Sequence, residues 1–344
     1  LIDNSFQRIL IGQTAYIGDV ILTTPLIRAA RQLYPQAQID ALVIPQTEEI
    51  VRHNPNINNV FLFDKRSKKA RAFLRSQQKL RNRRYDLAIS PHRSLTSALL
   101  LFLCGIPNRI GFRKGSGSPL WTISLPYRTD INEIQRNLSL LSVISNQSFE
   151  QQTEIFWDKE TERKAKGRFE NVPNSHYRIA VAPGSVWPTK RWPEEHYAAL
   201  VHAFKDENMS FFFIGGPDER DLCDRIIHKS RTGACYNLAG ETSLLEASAV
   251  IQKCDLFVGN DNGAMHMANA VRTDVVAFFG PTLRSLGFSP FRENDKVFER
   301  DMNCRPCSLH GSQKCPLDHF QCMKELYPNE VVNYILNHRK LNQG

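Results

Sequence analysis

Short apolar runs alternate with amphipathic stretches along nearly the whole chain, and this alternation restricts the fold more than any other feature. In the first half, Arg8–Gly12, Ile39–Ile44, Val60–Phe63, Tyr85–Ser90 and Arg109–Phe112 read as strands. Val20–Leu33, Glu48–Arg52, Ser67–Arg83 and Leu95–Cys104 read as helices between them. Several of these strands are almost continuously apolar, as parallel strands covered on both faces are. A βαβα series of this kind builds an open α/β sheet.

The series breaks over residues 145–176, which are polar and carry only one charged helical stretch, Lys159–Phe169. It then resumes. Strands are expected at Ile179–Ala182, Phe211–Ile214, Leu256–Gly259 and Val275–Phe279. Helices are expected at Glu194–Asp206, Glu219–Lys229, Leu244–Lys253 and Ala264–Val271, with a last one at Glu330–Arg339. A chain of 344 residues suits about two domains. The expectation is two Rossmann-like domains in tandem, joined near residue 172 and facing each other across a cleft, with the active site where the carboxyl ends of both sheets meet. No run approaches eighteen apolar residues, so no transmembrane helix is expected, and the polar segment Leu1 to Gln7 does not read as a signal peptide.

The net charge of +9 is unevenly placed. Residues 1–150 hold 20 Lys/Arg against 10 Asp/Glu, whereas residues 151–344 hold 24 against 25. The excess is densest from Lys65 to Arg84, with ten basic residues and no acidic one. Such a run is either a solvated helix face or a surface for an anionic partner: nucleic acid, a membrane or a phosphorylated substrate.

Three segments carry chemistry. The first strand leads into Gly12-Gln13-Thr14-Ala15-Tyr16-Ile17-Gly18-Asp19 at the start of a helix. Its glycine spacing fits neither a dinucleotide fingerprint nor a Walker loop. Asp19 is placed either to cap the helix or to act as a general base. In the second half, Pro183-Gly184-Ser185 leads to Lys190-Arg191-Trp192-Pro193 on a loop after a strand. Then Gly259-Asn260-Asp261-Asn262-Gly263-Ala264-Met265-His266 joins a strand to a helix. Amides at a helix start with a glycine for close approach make an anion site, and a lysine is a natural counter-charge for a departing diphosphate. His266, one turn in, either donates to a phosphate oxygen or faces the core.

In this order the segments resemble glycosyltransferase family 9, the bacterial heptosyltransferases. Gly18-Asp19 with Thr24-Pro25, Lys190-Arg191-Trp192-Pro193, Asn260-Asp261-Asn262-Gly263-Ala264-Met265-His266 and Phe279-Gly280-Pro281-Thr282 carry the resemblance. It implies a GT-B fold: an acceptor domain over residues 1–172, a nucleotide-sugar domain over 173–327, and a C-terminal helix, 328–344, returning to the first domain. It implies inverting transfer of heptose from ADP-heptose to the inner core of lipopolysaccharide by a cytoplasmic enzyme peripheral at the inner membrane. Asp19 matches the base. Lys190 matches a catalytic donor contact, and Ser185, Asp261, Asn262, Gly263 and His266 match the rest of the donor site. Ser185 and Asn262 depart from the family's usual residues. The acidic nucleoside contact falls on Asp218 or Glu219, with Glu219 the candidate. Lys65, Arg66, Lys68, Lys69, Arg93, Arg109 and Arg113 are candidates to hold a phosphorylated Kdo-lipid A acceptor at an anionic membrane surface.

No cofactor is expected for the chemistry, because Lys190, His266 and helix amides can neutralise a leaving diphosphate. Cys304, Cys307, Cys315 and Cys322 are spaced as either a structural zinc or iron site or a set of reduced or partly disulfide-linked thiols. Two other functions fit part of the sequence. One is GT-B chemistry with another nucleotide sugar, including epimerisation. The other is a nucleic-acid-binding protein with a cysteine knuckle, which would need aromatics interleaved in the basic run; only Phe73 and Tyr85 are near, and no nucleic-acid partner is expected.

Overall fold

The computed structural model describes residues 5–64, 70–170, 172 and 177–343. The chain forms two compact units, residues 1–157 and 158–344. The first unit holds strands β1 (Arg8–Gly12), β2 (Gln38–Val43), β3 (Asn59–Leu62), β4 (Leu87–Ser90), β5 (Asn108–Phe112) and β6 (Ile123–Leu125). Its helices are α1 (Ile17–Ile21), α2 (Thr24–Leu33), α3 (Glu48–Arg52), α4 (Ala70–Arg81), α5 (Leu95–Leu103) and α6 (Glu133–Ser139). The strands pair in the order β3-β2-β1-β4-β5-β6, every pair parallel.

The second unit opens with α7 (Lys159–Gly167) and alternates β7 (Tyr177–Ala182), α8 (Glu194–His202), β8 (Met209–Phe213), α9 (Arg220–Ser230), β9 (Cys235–Asn237) and α10 (Leu244–Gln252). It continues through β10 (Leu256–Asn260), α11 (Gly263–Ala270), β11 (Asp274–Phe279), β12 (Lys296–Glu299), α12 (Gln321–Lys324) and α13 (Pro328–Gln343). Its sheet order, β12-β11-β10-β7-β8-β9, repeats the topology of the first, again all parallel. The strand order reverses between β1 and β4 and between β7 and β10. Ligands of doubly wound sheets bind at the carboxyl ends of the strands at such switch points. Central strands are covered on both faces: β4, β8 and β10 are buried throughout.

Four expectations change. The helix expected over Val20–Leu33 is two helices, because Pro25 in the first turn of α2 has no amide proton to continue α1. Three short strands, β6, β9 and β12, were not expected; each lies at a sheet edge. The units divide at 157/158 rather than near 172, since α7 belongs with the second sheet: Lys253 Nζ meets Glu162 at 2.8 Å and Arg168 Nε meets Glu246 at 2.8 Å. Finally, the C-terminal helix, expected on the first domain, packs within the second unit. Val331 and Ile335 of α13 are fully buried in that unit's core beside Tyr197 and Phe298. Its His338 bridges Tyr177 Oη (2.6 Å) and Asp274 Oδ2 (3.0 Å).

Truncating a fully buried isoleucine costs about 2–5 kcal/mol. Ile335→Ala should therefore destabilise the second unit selectively. Hydrogen-exchange mass spectrometry should show lost protection in β7, β8 and β11 and unchanged protection in β1 and β4.

Candidate active site

At the second switch point the loop after β7 is held by one amide. Asn260, the last residue of β10, is fully buried. Its Oδ1 accepts from the Trp192 amide (2.9 Å) and the Tyr197 hydroxyl (3.1 Å), and its Nδ2 donates to the carbonyls of Pro183 (2.8 Å) and Gly184 (3.3 Å). The Lys190–Pro193 stretch divides its tasks around this anchor. Trp192 is buried, stacks on Phe278 at 4.1 Å and donates Nε1 to the Leu326 carbonyl. Arg191 clamps the Ser185 carbonyl through Nε (2.9 Å) and Nη2 (2.6 Å). Lys190 is left to place its ammonium 2.6 Å from Asp261 Oδ2, which also accepts from Thr282 Oγ1 at 2.8 Å.

Asn262 caps α11, accepting from the Met265 amide (3.1 Å) while its Nδ2 donates to the Gly184 carbonyl (2.8 Å). The Asn262 side chain thus ties the two loops together. Gly263 opens the helix, where the first-turn amides have no intrahelical acceptor and the helix dipole favours an anion. His266 lies one turn in and is buried. Burial brings its pKa down to about 4, with Asp261 opposing and Lys190 reinforcing the shift, so the imidazole is neutral near pH 7 and carries a single ring N–H.

Ser185 is buried at the same edge, and its Oγ accepts from the Trp187 amide at 3.4 Å. Asp218 is exposed, whereas the Glu219 carboxylate lies over the carboxyl ends of β7 and β8. A Cβ at Gly184 would fall 1.8 Å from Glu219 Oε1, and Oε2 accepts from the Gly216 amide at 2.9 Å. Between the two candidates the fold therefore brings Glu219 to the site, and Gly184 is the residue whose missing side chain makes room for it.

The first switch point holds Asp19. It is half-buried in the first turn of α1, and its Oδ2 accepts from the Tyr16 amide at 3.2 Å, so a capping contact is present. Thr14, in the same loop, bonds His92 Nδ1 (2.8 Å) and Ser97 Oγ (2.6 Å) across the gap between β1 and β4. Around Asp19 the charges are coupled. Glu133 of α6 pairs with buried Arg136, whose Nη1 also donates to Tyr127 Oη at 2.6 Å. Burial pushes the Glu133 carboxyl up to about 7 against the pull of Arg136, and the negative charge of Asp19 adds to the rise. Arg93 stacks on the Tyr127 ring at 4.0 Å.

Of the basic acceptor candidates, Arg93 and Arg113 follow β4 and β5 at the carboxyl edge. Arg109 does not. It sits at the opposite end of β5, where its guanidinium is taken up by the Ile106 and Leu120 carbonyls and the Phe102 ring. Lys65, Arg66, Lys68 and Lys69 lie outside the described residues.

The cysteine segment is far in sequence from Lys190 and α11. It packs directly on the lysine loop. Thr189 Oγ1 and the Ser312 backbone bond each other both ways at 2.9 Å, and a Cβ on Gly311 would lie 2.6 Å from Trp187 Cβ and 3.2 Å from Lys190 Cγ. No disulfide joins the cysteines. Cys322 is a core residue whose thiol burial pushes up to about 11, and Cys304 Sγ is 4.0 Å from His319 Nε2. Among the described residues, no group of three or more His, Cys, Asp or Glu is arranged to hold a metal ion.

Residues 73–317 match the profile of glycosyltransferase family 9 (heptosyltransferase). The chain belongs to this family. It is 28% identical to lipopolysaccharide heptosyltransferase 3 of Escherichia coli strain K12 over 81% of this chain and 84% of the relative. It is 26% identical to lipooligosaccharide heptosyltransferase 2 of Campylobacter jejuni over 96% and 98%. The solved structure of E. coli ADP-heptose lps heptosyltransferase II superposes with a TM-score of 0.80 at 23% identity, covering 98% of this chain and all of that one. The fold is thus of GT-B type and the protein is a glycosyltransferase. Family membership decides against the epimerase and nucleic-acid-binding readings.

The His266 environment has a measurable consequence. Above pH 6.5 the ring is neutral in both folded and unfolded chains. As pH falls towards 4 the unfolded chain binds the proton first, so stability drops across that window by up to roughly 3 kcal/mol. His266→Gln should flatten this part of the pH–stability curve in urea titrations.

Proposed function

We propose that the protein transfers L-glycero-D-manno-heptose from ADP-heptose to a hydroxyl of the lipopolysaccharide inner core, with inversion at the anomeric carbon. Supporting this reading are the family, the heptosyltransferase relatives, and above all the Lys190–Asp261 pair set beside the start of α11 at a switch point. Lys190 and the first-turn amides of α11 lie there together with His266, which burial keeps neutral.

Asp19 is the proposed general base. The acceptor hydroxyl gives its proton to the Asp19 carboxylate as its oxygen attacks the anomeric carbon. The bond from that carbon to the diphosphate breaks, and ADP leaves with the electron pair. Charge grows on the departing oxygen, where Lys190, the α11 amides and His266 stabilise it more than in the ground state. Glu219 and Ser185 hold the nucleotide, and Asp261 steers Lys190. No metal is required for this step. The acceptor is a phosphorylated Kdo-lipid A, with Arg93 and Arg113 meeting its anionic groups. No helix among the described residues is long and apolar enough to cross a membrane, and we place the enzyme on the cytoplasmic face of the inner membrane as a peripheral protein.

Two variants test the assignment. Asp19→Asn keeps the shape and can still accept the Tyr16 amide, but it cannot take a proton. Steady-state transfer should fall about 10²–10⁴-fold with unchanged ADP-heptose affinity; near-normal turnover would leave Asp19 a helix cap only. Lys190→Ala should weaken ADP binding in calorimetry and slow transfer, and EDTA should leave the wild-type ADP affinity unchanged. Loss of binding in EDTA would show that the diphosphate needs a cation the protein does not supply.

A further inference from the structure

One helix of the first unit carries more apolar surface than its core uses. Ser97, Ala98, Leu100 and Leu101 of α5 are buried. On the opposite face Leu95, Leu99, Phe102 and Leu103 are 49%, 37%, 45% and 42% exposed. Their spacing, i, i+4, i+7 and i+8, aligns them in one stripe, and α5 contains no charged residue to break it. A stripe of large side chains in solvent marks an interaction surface rather than a leftover of folding.

The surroundings specify its partner. Helix α4 lies against α5, with Gln77 Nε2 donating to the Leu103 carbonyl at 2.8 Å. It adds Leu74, 59% exposed, and presents Arg71, Arg75, Lys79 and Arg81 to solvent with no acidic residue along its length. Where the two helices end, Arg81 and Arg84 line a shallow cavity of about 660 Å³ together with Tyr85 and Cys104. On the far side Arg109 lies 5.3 Å from the Phe102 ring. Apolar side chains flanked by cations, without acids, match the boundary between acyl chains and anionic headgroups. The same charges oppose pairing of two copies through this face, because it would bring like charges together.

We propose that the α4–α5 face is the surface by which the protein lies on an anionic phospholipid bilayer. Leu95, Leu99, Phe102 and Leu103 enter the acyl boundary, while Arg71, Arg75, Lys79 and Arg81 meet lipid phosphates. This rests on the reading that the acceptor is a membrane lipid, and it adds the surface that brings the enzyme there.

The test is sedimentation of the full chain with vesicles of phosphatidylcholine alone or mixed with phosphatidylglycerol. The protein should pellet with the mixed vesicles only. Leu99→Ser with Phe102→Ser should lower the partition coefficient about tenfold or more. Arg75→Gln with Lys79→Gln should weaken binding and reduce its salt dependence. As a check independent of weakened binding, Leu99→Trp should show blue-shifted emission on mixed vesicles. Transfer to a deacylated, water-soluble acceptor should be unchanged in every variant. No vesicle binding by the wild type, or binding indifferent to Leu99 and Phe102, overturns the proposal. So does a wild-type dimer that the serine variant converts to a monomer with unchanged pelleting, since the stripe is then an interface between copies. Failure of the wild type to use the soluble acceptor would instead count against the proposed transfer, whatever the vesicles show.

Discussion

The loop that carries Lys190 depends on the side-chain amide of Asn260. It lies at the end of a buried strand, where water cannot substitute for a missing partner, and it is satisfied on both its oxygen and its nitrogen by the loop after β7. Through those bonds the two strands that flank the switch point hold one loop in one conformation. The Trp192 ring fills the core beneath it and Arg191 closes it from the side. Lys190 then projects from a loop whose backbone is already fixed, so its ammonium meets Asp261 with little further ordering cost. Such preorganisation is what electrostatic stabilisation of a leaving group needs.

The first unit reaches a similar end by different means. There the gap between β1 and β4 is bridged by the Thr14 hydroxyl, which bonds His92 and Ser97. Asp19 acts on Glu133, a residue distant in sequence whose carboxyl also feels Arg136, Tyr127 and Arg93. α6 is brought beside the α1–α2 junction by Asn137, whose Nδ2 donates to the Leu22 carbonyl at 3.0 Å. Two units with one topology thus carry different groups at equivalent edges: Asp19 among charged neighbours of both signs on the first, and Lys190 paired with Asp261 beside the α11 amides on the second.

The central strands and most helices were legible in the sequence because full burial on both faces leaves an unbroken apolar run. The edge strands β6, β9 and β12 were not. An edge strand has a neighbour on one side only, and these three are short and half-buried, so Ile123-Ser124-Leu125 and Cys235-Tyr236-Asn237 show too little pattern to separate them from loop. The split at Pro25 was written in the sequence, since proline marks the first turn of a helix as readily as its disruption. Asp19, Lys190, Asp261, Asn262 and His266 could be singled out because each stands within a few residues of a strand end. Asn260, His92 and Glu133 carried weaker signals: a buried amide, a histidine after a strand and a glutamate at a helix start gain meaning only from what they touch.

The sequence by itself determined the class of fold and singled out two strand ends as candidate sites, because these follow from hydrophobic period and from residue types at strand ends. Tertiary structure alone decided what depends on contacts between distant segments. It laid the Glu219 carboxylate over Gly184 and left Asp218 exposed. It set the Arg109 guanidinium against the Phe102 ring and packed α13 into the second core. It also set the cysteine segment against the Lys190 loop across more than a hundred residues of chain. The physical reason is the same in each case: hydrogen bonds and packing act over a few ångströms, and only the folded chain says which residues lie within that range.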